Sequence, residues 1–260
     1  MHTIVDWDRD TPQWSAVLAA SADCDDPHSL SDNTLWPIYG PLVRPPHNQQ
    51  VVIGQLGQSL DGRIATATGH SHYINGEAAL IHLHRLRALV DAVVVGVGTV
   101  VADDPQLTVR RAAGRKGAPQ PARVVIDPKG RLPAAAKCLA DDGARCVVVG
   151  NGPARKPAHI EHITVPPTAD GIAPAAILAA LAARGLKRIL VEGGADTLSR
   201  FLRAGSLHRL HVMTAPLIIG SGPTGLNLAV IARLDQALRP RTVSYALPGG
   251  DVLFDCALHD

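Results

Sequence analysis

The stretches VVIGQLGQSLDGRIA at residues 51–65 and GVGTVVADDPQLTVR at residues 96–110 decide the fold. The run VVIGQLG predicts a buried strand, and Asp61-Gly62 predicts a tight turn after it. A second run of apolar, mostly β-branched residues at 92–98 predicts a central parallel strand. Polar residues gather where these elements end, so we expect the functional site at that edge.

Residues 76–91, between the two strands, show the periodicity of an amphipathic helix. Its apolar stripe consists of Ala79, Leu83, Leu86 and Val90. Arg87 lies at the edge of this stripe, so it either reaches a partly buried site or extends to solvent along its aliphatic stem. Arg85 points away from the stripe, and we expect it to be solvated.

Two strand-to-helix junctions carry glycines, which expose backbone N–H groups to an anion. The first is the segment 96–99, where Thr99 is predicted as the N-cap of a short helix. The second follows a predicted strand at 188–191, where Glu192 precedes Gly193-Gly194. A Gly-Gly turn serves either phosphate binding or tight packing, so both interpretations of this turn stay open.

Further strands are predicted later in the chain, and helices alternate with them through its middle. The strands are expected at residues 123–128, 145–150, 207–217 and 241–258, with helices at 174–184 and after Gly194 and a hairpin at Pro248-Gly249-Gly250. Alternation followed by consecutive strands predicts a three-layer α/β domain. We therefore expect a mixed, mostly parallel central sheet with antiparallel C-terminal strands.

The first 48 residues differ in composition from the rest and predict a separate segment. They are rich in Pro, Asp, Ser and Asn and show little periodicity beyond a short helix at residues 12–20. They also hold all three tryptophans, Trp7, Trp14 and Trp36, together with Tyr39. We therefore expect residues 1–48 to form an N-terminal arm that docks on a domain of residues 49–260.

Composition and charge exclude several classes of protein. With 46% apolar and 18% charged residues, the chain of 260 residues can bury a full core. A net charge of +2 without a basic block indicates neither nucleic acid nor a membrane surface as a partner. No apolar stretch has the length of a membrane span, and the start MHTIVDWDRD lacks a basic signal region, so a cytoplasmic protein is expected.

Cysteines and histidines predict neither disulfides nor a metal site. The cysteines are Cys24, Cys138, Cys146 and Cys256. They contain no Cys-x-x-Cys pair and nothing indicates export, so free thiols are expected. His82 and His84 are placed on different faces of a helix, which does not suit a shared metal.

Five segments in order resemble the reductase domain of the riboflavin-pathway deaminase-reductase family. They are QSLDGRIAT, the Ser71-His72-Tyr73 segment, LHRLRA, GVGTVVADDPQLTVR and LVEGGADTL. The resemblance covers roughly residues 50–257 and implies a dihydrofolate reductase-like fold. It also implies NADPH-dependent reduction of the ribosyl group of an aminopyrimidine ribosyl 5′-phosphate to ribityl. The zinc deaminase signature of the family's other half is absent from this sequence, so the chain resembles a stand-alone reductase.

The resemblance implies a role for individual residues. The substrate site would include Ser71, Arg87, Leu107, Arg110 and Glu192. The cofactor site would include Gly57, Tyr73, Thr99, Asp103 and the turn formed by Gly194, Ala195, Asp196, Thr197, Leu198, Ser199 and Arg200. Glu192 and Asp61 are the candidate catalytic acids, although Asp61 equally suits a structural turn. The resemblance does not identify the partner of the NADPH 2′-phosphate, for which Lys129 and Arg131, after the predicted strand at 123–128, are candidates.

Two departures from the family pattern leave the substrate open. Gln55 stands where the family commonly has a lysine, and Tyr73 stands where the bifunctional bacterial enzymes often have a tryptophan. One alternative is therefore a reductase of the same fold acting on another small phosphorylated or pteridine-like substrate. A second is a non-catalytic nucleotide-binding protein. We also expect a homodimer, because the late strands leave a sheet edge to pair.

Overall fold

The computed structural model of the chain describes residues 5, 7–22, 30–45, 49–112, 120–151, 157–168 and 171–259. Its strands are β1 (Val51–Ser59), β2 (Ala92–Gly96), β3 (Ala122–Ile126), β4 (Cys146–Val149), β5 (Ile160–Ile163), β6 (Pro167–Thr168), β7 (Gly171–Ile172), β8 (Arg188–Glu192), β9 (Arg209–Ala215), β10 (Arg241–Ala246) and β11 (Val252–Ala257). Its α-helices are α1 (Pro12–Ala22), α2 (Trp36–Val43), α3 (Glu77–Leu89), α4 (Val97–Asp103), α5 (Pro174–Ala182) and α6 (Ala195–Arg203).

A nine-stranded sheet in the order β10-β11-β9-β1-β8-β2-β3-β4-β5 organises the molecule. Neighbouring strands from β9 to β5 run parallel, whereas β11 is antiparallel to both β9 and β10. The predicted mixed, mostly parallel sheet is thereby confirmed. Because the parallel strands share one direction, the ends of β8, β2 and β3 meet at one edge, and helices α4 and α6 begin there.

Two apolar clusters, one on each face of the sheet, give the molecule three layers. On one face, alternate residues of β1 such as Ile53 pack with Leu86 of α3 and Met213 of β9. On the other face, Val52 and its alternates pack with Leu198 of α6 and Leu181 of α5. This separation follows from the two-residue period of a strand, which sends neighbouring side chains to opposite faces.

The described part of the arm is packed into the first of these clusters. Trp7, Trp14 and Tyr39 are buried there together with α3, although the sequence gives no periodicity that predicts α2. The arm covers the side of α3 that faces away from the sheet, and this corrects one expectation. Arg85 is fully buried rather than solvated: its guanidinium lies over the Trp14 ring and donates to the main-chain oxygen of Asp8.

The predicted start of helix α4 was also wrong. Strand β2 ends at Gly96, which is itself the N-cap, so Thr99 lies inside the first turn of α4. A Cβ at Gly96 would stand 2.4 Å from Thr197 Oγ1, which explains why the chain needs glycine where the helix starts. The earlier start brings Gly96, Val97 and Gly98 to the sheet edge together.

None of the helices in the described part of the chain has the length and apolar character needed to cross a membrane. Cys138, Cys146 and Cys256 are free and buried, while Cys24 lies outside the described residues. Within the described ranges, no group of three or more His, Cys, Asp or Glu residues is arranged to hold a metal ion.

Candidate active site

Two cavities meet at the sheet edge where the parallel strands end. The larger cavity, of about 730 Å³, lies over the beginnings of α4 and α6, and the smaller cavity, of about 640 Å³, lies between β1, α3 and the segment after α4. Thr99 and Gly194 line both cavities. A molecule in the larger cavity would therefore contact one in the smaller cavity at these two residues.

The larger cavity is built on two helix N-termini. Gly96, Val97 and Gly98 of the first junction face Gly194 and Ala195 of the second. The N–H groups in the first turn of a helix lack intrahelical acceptors, so such a junction favours an anionic ligand. The geometry thus suits the phosphate-binding role implied for this turn.

Gly194 carries the strictest conformational requirement of this junction. Its φ is 65°, a left-handed value that favours glycine, and an added Cβ would stand 2.8 Å from Thr99 Oγ1. The absence of a side chain therefore keeps open the point where the cavities join.

Other residues predicted for this turn separate into two groups because α6 is amphipathic. Asp196, Thr197 and Arg200 line the larger cavity. Leu198 and Ser199 do not line it: Leu198 is buried against the sheet, and the Ser199 hydroxyl accepts from the N–H of Asn227 at 2.7 Å. A continuous run of ligands along a helix is geometrically excluded, since neighbouring residues lie 100° apart on its surface.

A basic loop after β3 closes the far end of the larger cavity. Lys129 and Arg131 both line it. The buried Asp127 shapes this loop, because its two carboxylate oxygens accept from the N–H groups of Arg131 at 2.9 Å and Leu132 at 2.8 Å. The opposite wall, with Thr168 and Gly171 of the β6–β7 hairpin, was not predicted, although the segment PPTADG at 166–171 carries a turn signal.

The smaller cavity contains Ser71, Tyr73, Asp103 and Arg110 among its lining residues. The Ser71 hydroxyl donates to Asp103 Oδ1 at 3.1 Å, which ties the segment before α3 to the end of α4. Tyr73 is 90% exposed and has a φ of 67°, so its ring projects at the mouth of this cavity. These four predicted residues, drawn from two segments, are brought together by the fold.

Gly57 lines the smaller cavity, where the side chain of Asn75 packs closely against it. A Cβ at Gly57 would stand 2.2 Å from Asn75 Oδ1. Asn75 in turn donates to Asp251 Oδ1 at 3.2 Å, and Asp251 Oδ2 accepts from the N–H of Gly76 at 2.7 Å. The C-terminal hairpin therefore anchors the beginning of α3, a connection for which the sequence holds no local signal.

Arg87 and Glu192 form a buried, two-point ion pair below the smaller cavity. Arg87 Nε and Nη2 donate to the two carboxylate oxygens of Glu192, each at 2.6 Å, and Nη1 donates to the main-chain oxygen of Thr108 at 3.1 Å. Neither side chain is among those that line the cavities. Arg87 therefore binds Glu192 inside the protein, whereas a contact with the substrate phosphate was expected. Glu192 in turn binds a guanidinium, whereas a role as a catalytic acid was expected.

Arg110 is the predicted basic residue that does reach the smaller cavity. Its guanidinium donates to Thr108 Oγ1, and its backbone N–H donates to His84 Nδ1 at 3.0 Å. Burial, followed by the charges of Arg87 and Arg111, lowers the pKa of Arg110, and the charge of Glu192 opposes this shift. Leu107, by contrast, is 1% exposed with a φ of 57° and does not line the cavity.

Asp61 does not line either cavity and serves a turn. Its carboxylate accepts from the Ser59 hydroxyl at 2.6 Å and from the N–H groups of Ile219 at 3.0 Å and Gly220 at 2.7 Å. The hydrogen bond from Ser59, followed by that from Ile219, lowers the pKa of Asp61 to about 2. A carboxyl group that stays ionised at neutral pH is a poor proton donor, so the structural interpretation of Asp61 is the better one.

Lys137 and Asp104 also line the smaller cavity, and sequence reasoning missed both. Asp104 ends α4 with a φ of 41°, accepts from the Lys137 N–H at 2.8 Å and pairs with its Nζ at 3.2 Å. Lys137 comes from a short 3-10 turn after β3 with no motif around it. Gln55, which departs from the family pattern, contributes to the same cavity.

Comparison with known proteins identifies the family of this chain. Residues 50–238 match the family described as the RibD C-terminal domain. The riboflavin biosynthesis protein RibD of Mycobacterium tuberculosis is 35% identical over 218 residues, which are 82% of this chain and 57% of that protein. A 2,5-diamino-6-ribosylamino-4(3H)-pyrimidinone 5′-phosphate reductase of Methanothermobacter thermautotrophicus is 35% identical over 174 residues, 65% of this chain and 79% of that one.

Solved structures show the same architecture. RibD of Acinetobacter baumannii superposes with a TM-score of 0.74 at 27% identity, covering 86% of this chain and 63% of that one. The riboflavin biosynthesis reductase Rib7 of Saccharomyces cerevisiae, at 20% identity and a TM-score of 0.68, shares the fold. The sheet and its edge site define an α/β protein with the dihydrofolate reductase-like fold. The chain belongs to the RibD C-terminal domain family, and it spans 57% of the length of its mycobacterial relative.

Proposed function

We propose that this chain is an NADPH-dependent reductase that converts the ribosyl group of an aminopyrimidine ribosyl 5′-phosphate to ribityl in riboflavin biosynthesis. The name of the archaeal relative, a ribosylaminopyrimidinone 5′-phosphate reductase, supports the substrate class. The observation that carries the proposal is the junction of two cavities at Thr99 and Gly194. Hydride transfer requires two bound molecules in contact, and ligands in the two cavities would touch at this junction.

The larger cavity suits the dinucleotide. The two helix N-termini and the glycine at residue 194 would hold the pyrophosphate, and Lys129 and Arg131 would bind a 2′-phosphate. A bound nicotinamide would supply the hydride, while this chain binds and orients both reactants.

The smaller cavity suits the phosphorylated sugar and its base. Arg110 and Lys137 would contact the phosphate, with the Ser71 hydroxyl beside them. Glu192 would hold Arg87 under the cavity floor, in place of the acid role considered for it. Gln55 would offer the base an amide, which donates and accepts hydrogen bonds without charge.

The test is oxidation of NADPH, followed at about 340 nm, with the deaminated and the undeaminated aminopyrimidine ribosyl phosphate in parallel. We expect turnover with one of the two. Turnover with neither, but with another phosphorylated or pteridine-like substrate, would favour the alternative reductase. NADPH binding without any turnover would favour a nucleotide-binding protein.

The cofactor preference has its own test. We expect Arg131→Ala to raise KM for NADPH about tenfold and to leave KM for NADH within about twofold, because only NADPH carries the 2′-phosphate. Lys129→Ala is the companion variant on the same loop. An equal loss with both cofactors would contradict the assignment.

We also propose a homodimer formed at the β10 edge of the sheet. Apolar side chains are exposed along this edge and in the segment that precedes it: Ile218, Val230, Leu234, Leu238, Val243 and Phe254. Exposed apolar residues in such number favour a protein partner, and a second copy pairs the edge by symmetry. Sedimentation should give twice the chain mass for the wild type and a smaller species for Val243→Lys; a monomeric wild type would refute the dimer.

A cytoplasmic location is the last part of the proposal. The free, buried thiols of Cys138, Cys146 and Cys256 suit a reducing compartment. Cell fractionation tests it, with recovery outside the cytosol as the contradicting outcome.

A further inference from the structure

The N-terminal arm lies outside the part of the chain that matches the family, yet it is packed into the core. The match covers residues 50–238. Trp7 is 3% exposed and Trp14 is fully buried, and both share an apolar cluster with Leu86 and Leu89 of α3. The arm therefore contacts the helix that carries Arg87 and His84.

The segment at residues 7–9 is fixed to the body by hydrogen bonds in three directions. Trp7 Nε1 donates to the main-chain oxygen of Ala246 at 3.1 Å. Arg85 of α3 donates to the main-chain oxygen of Asp8. Arg9 Nη2 donates to the main-chain oxygen of Arg110 at 3.1 Å, across 101 positions of sequence.

The main chain at Arg110 is therefore held from two sides. Its N–H donates to His84 Nδ1 of α3 at 3.0 Å, and its oxygen accepts from Arg9 of the arm at 3.1 Å. The segment around it runs through Leu107 at a φ of 57°, a conformation that needs such support. With both backbone groups fixed, the side chain of Arg110 extends into the smaller cavity.

Among Arg87, Arg110 and Arg111, Arg110 is the arginine that forms no ion pair with a carboxylate of the described residues, so its charge is available to a ligand. Arg87 is paired with Glu192, and Arg111 with Glu77 at 2.6 Å. Over the described residues, no carboxylate lies within ion-pair distance of Arg110, which bonds Thr108 Oγ1 instead. An anion entering the smaller cavity would complete this cluster.

We propose that the N-terminal arm supports the substrate site from outside the cavity, with Arg9 as a positioning residue that holds the Arg110 main chain so that its guanidinium faces the substrate phosphate. The inference rests on the proposed function for the identity of the anion. It gives the arm an indirect role in substrate affinity and none in cofactor binding. The described residues of the arm line neither cavity, and Arg110, through which the arm acts, lines the smaller cavity and not the larger one.

The test compares Arg9→Ala and Arg9→Lys with Arg145→Ala in steady-state kinetics of the full chain. Arg145 is a matched control: like Arg9 it is exposed, donates to a main-chain oxygen, that of Arg184 at 3.3 Å, pairs with a carboxylate and lines neither cavity. Arg9→Ala is expected to raise KM for the aminopyrimidine about fivefold, with kcat and the KM for NADPH within about twofold of the wild type. Arg9→Lys keeps a donor and should restore most of the affinity.

Because Arg9 has an exposed side chain, thermal midpoints of the variants should match, which separates positioning from loss of stability. Unchanged substrate KM in Arg9→Ala, or an equal change in Arg145→Ala, would overturn the role of the arm while the proposed function stands.

If the wild type reduces neither aminopyrimidine, the proposed function fails and the arm is judged by calorimetry with ribose 5-phosphate, with ribose as the phosphate-free control. About fivefold weaker binding of ribose 5-phosphate by Arg9→Ala supports the role of the arm. Equal affinity of both proteins, or no binding to the wild type, refutes it.

Discussion

The two cavities of this protein are built in different ways. The larger cavity is formed around two strand-to-helix junctions, residues 96–99 after β2 and residues 194–197 after β8, and the loop after β3 and the β6–β7 hairpin add further walls. The smaller cavity is assembled from residues that lie far apart in the chain, including Gln55, Ser71, Arg110 and Lys137. A ligand site at a strand-to-helix junction forms when a few neighbouring residues adopt the right backbone conformation. A site made of residues far apart in the chain forms only when the whole fold is correct.

The difference extends to what supports each cavity. Glycine geometry and helix N-termini support the larger cavity, so its requirements are steric and local. Beneath the smaller cavity lie charges and polar groups taken out of water, such as the Arg87–Glu192 pair and His84. Polar groups in that position are costly unless every partner is present, so we expect substitutions there to have the larger effect on stability.

The largest effect is expected for Arg87→Ala. The substitution leaves Glu192 buried without its cation, which should lower the free energy of unfolding by about 3 to 5 kcal/mol. Urea unfolding measures the loss. Arg111→Ala is the matched control, because Arg111 also makes two contacts with a carboxylate, that of Glu77, but in an exposed position. It should cost about 1 kcal/mol or less.

A small effect of Arg87→Ala on unfolding, with a large rise in substrate KM, would return Arg87 to the role of a phosphate ligand. That result would contradict the distinction between Arg87, whose charge is paired with Glu192, and Arg110, whose charge faces the smaller cavity.

The next effect is expected at the junction of the cavities. Gly194→Ala introduces a Cβ at a φ of 65° and 2.8 Å from Thr99 Oγ1. Strain and the contact together should weaken NADPH binding by about 2 kcal/mol, or roughly thirtyfold, with a smaller change in substrate affinity. Titration of cofactor fluorescence gives the dissociation constant.

Gly143→Ala controls for backbone strain, since Gly143 has a φ of 85° with nothing within 4 Å of an added Cβ. It should lower stability without changing cofactor affinity. Equal weakening of cofactor binding by both substitutions would mean that the shape of the junction at Gly194 is not what matters.

The same contrast explains how much of the molecule the sequence predicted. Strands β1, β2 and β8 and the glycine junctions were found because their signals are local: apolar runs ending in turn residues. The sites of Lys137 and Asn75 were not found, because each depends on a contact with a segment far away in sequence. For the same reason, the pairing of Arg87 with Glu192 cannot be read from either motif alone.

Arg85 shows the limit of helical periodicity. The wheel of α3 has one apolar stripe, and Arg85, on one of the other faces, is predicted to be solvated. The arm covers one of them, placing Trp14 on Arg85 and Tyr39 on His82, whose second nitrogen meets His211 at 3.1 Å. The arm contacts this side of α3 through the polar residues Arg85 and His82, so the helix has no second apolar stripe there. Its periodicity therefore does not predict that the arm packs on it.

The smallest effect we predict is the response of this polar layer to acid. Burial, followed by the charges of Arg87 and Arg110, lowers the pKa of His84 to about 3. Burial also lowers the pKa of His82, as does the neighbouring His211. In the unfolded chain both groups bind a proton near pH 6.5. As pH falls from about 6.5 towards 3, the unfolded state gains protons that the folded state does not, so stability is lost over that window.

At pH 5.5, one pH unit below the pKa of the unfolded chain, this linkage amounts to about 1.4 kcal/mol for His84. His84→Asn keeps an acceptor for the N–H of Arg110 but cannot take up a proton in either state. About 0.2 kcal/mol of this linkage is already present at pH 7, so between pH 7 and 5.5 the variant should lose about 1.2 kcal/mol less than the wild type in urea unfolding. Parallel stability curves would mean that His84 is protonated in the folded protein, and that the positive cluster around Arg110 tolerates one more charge.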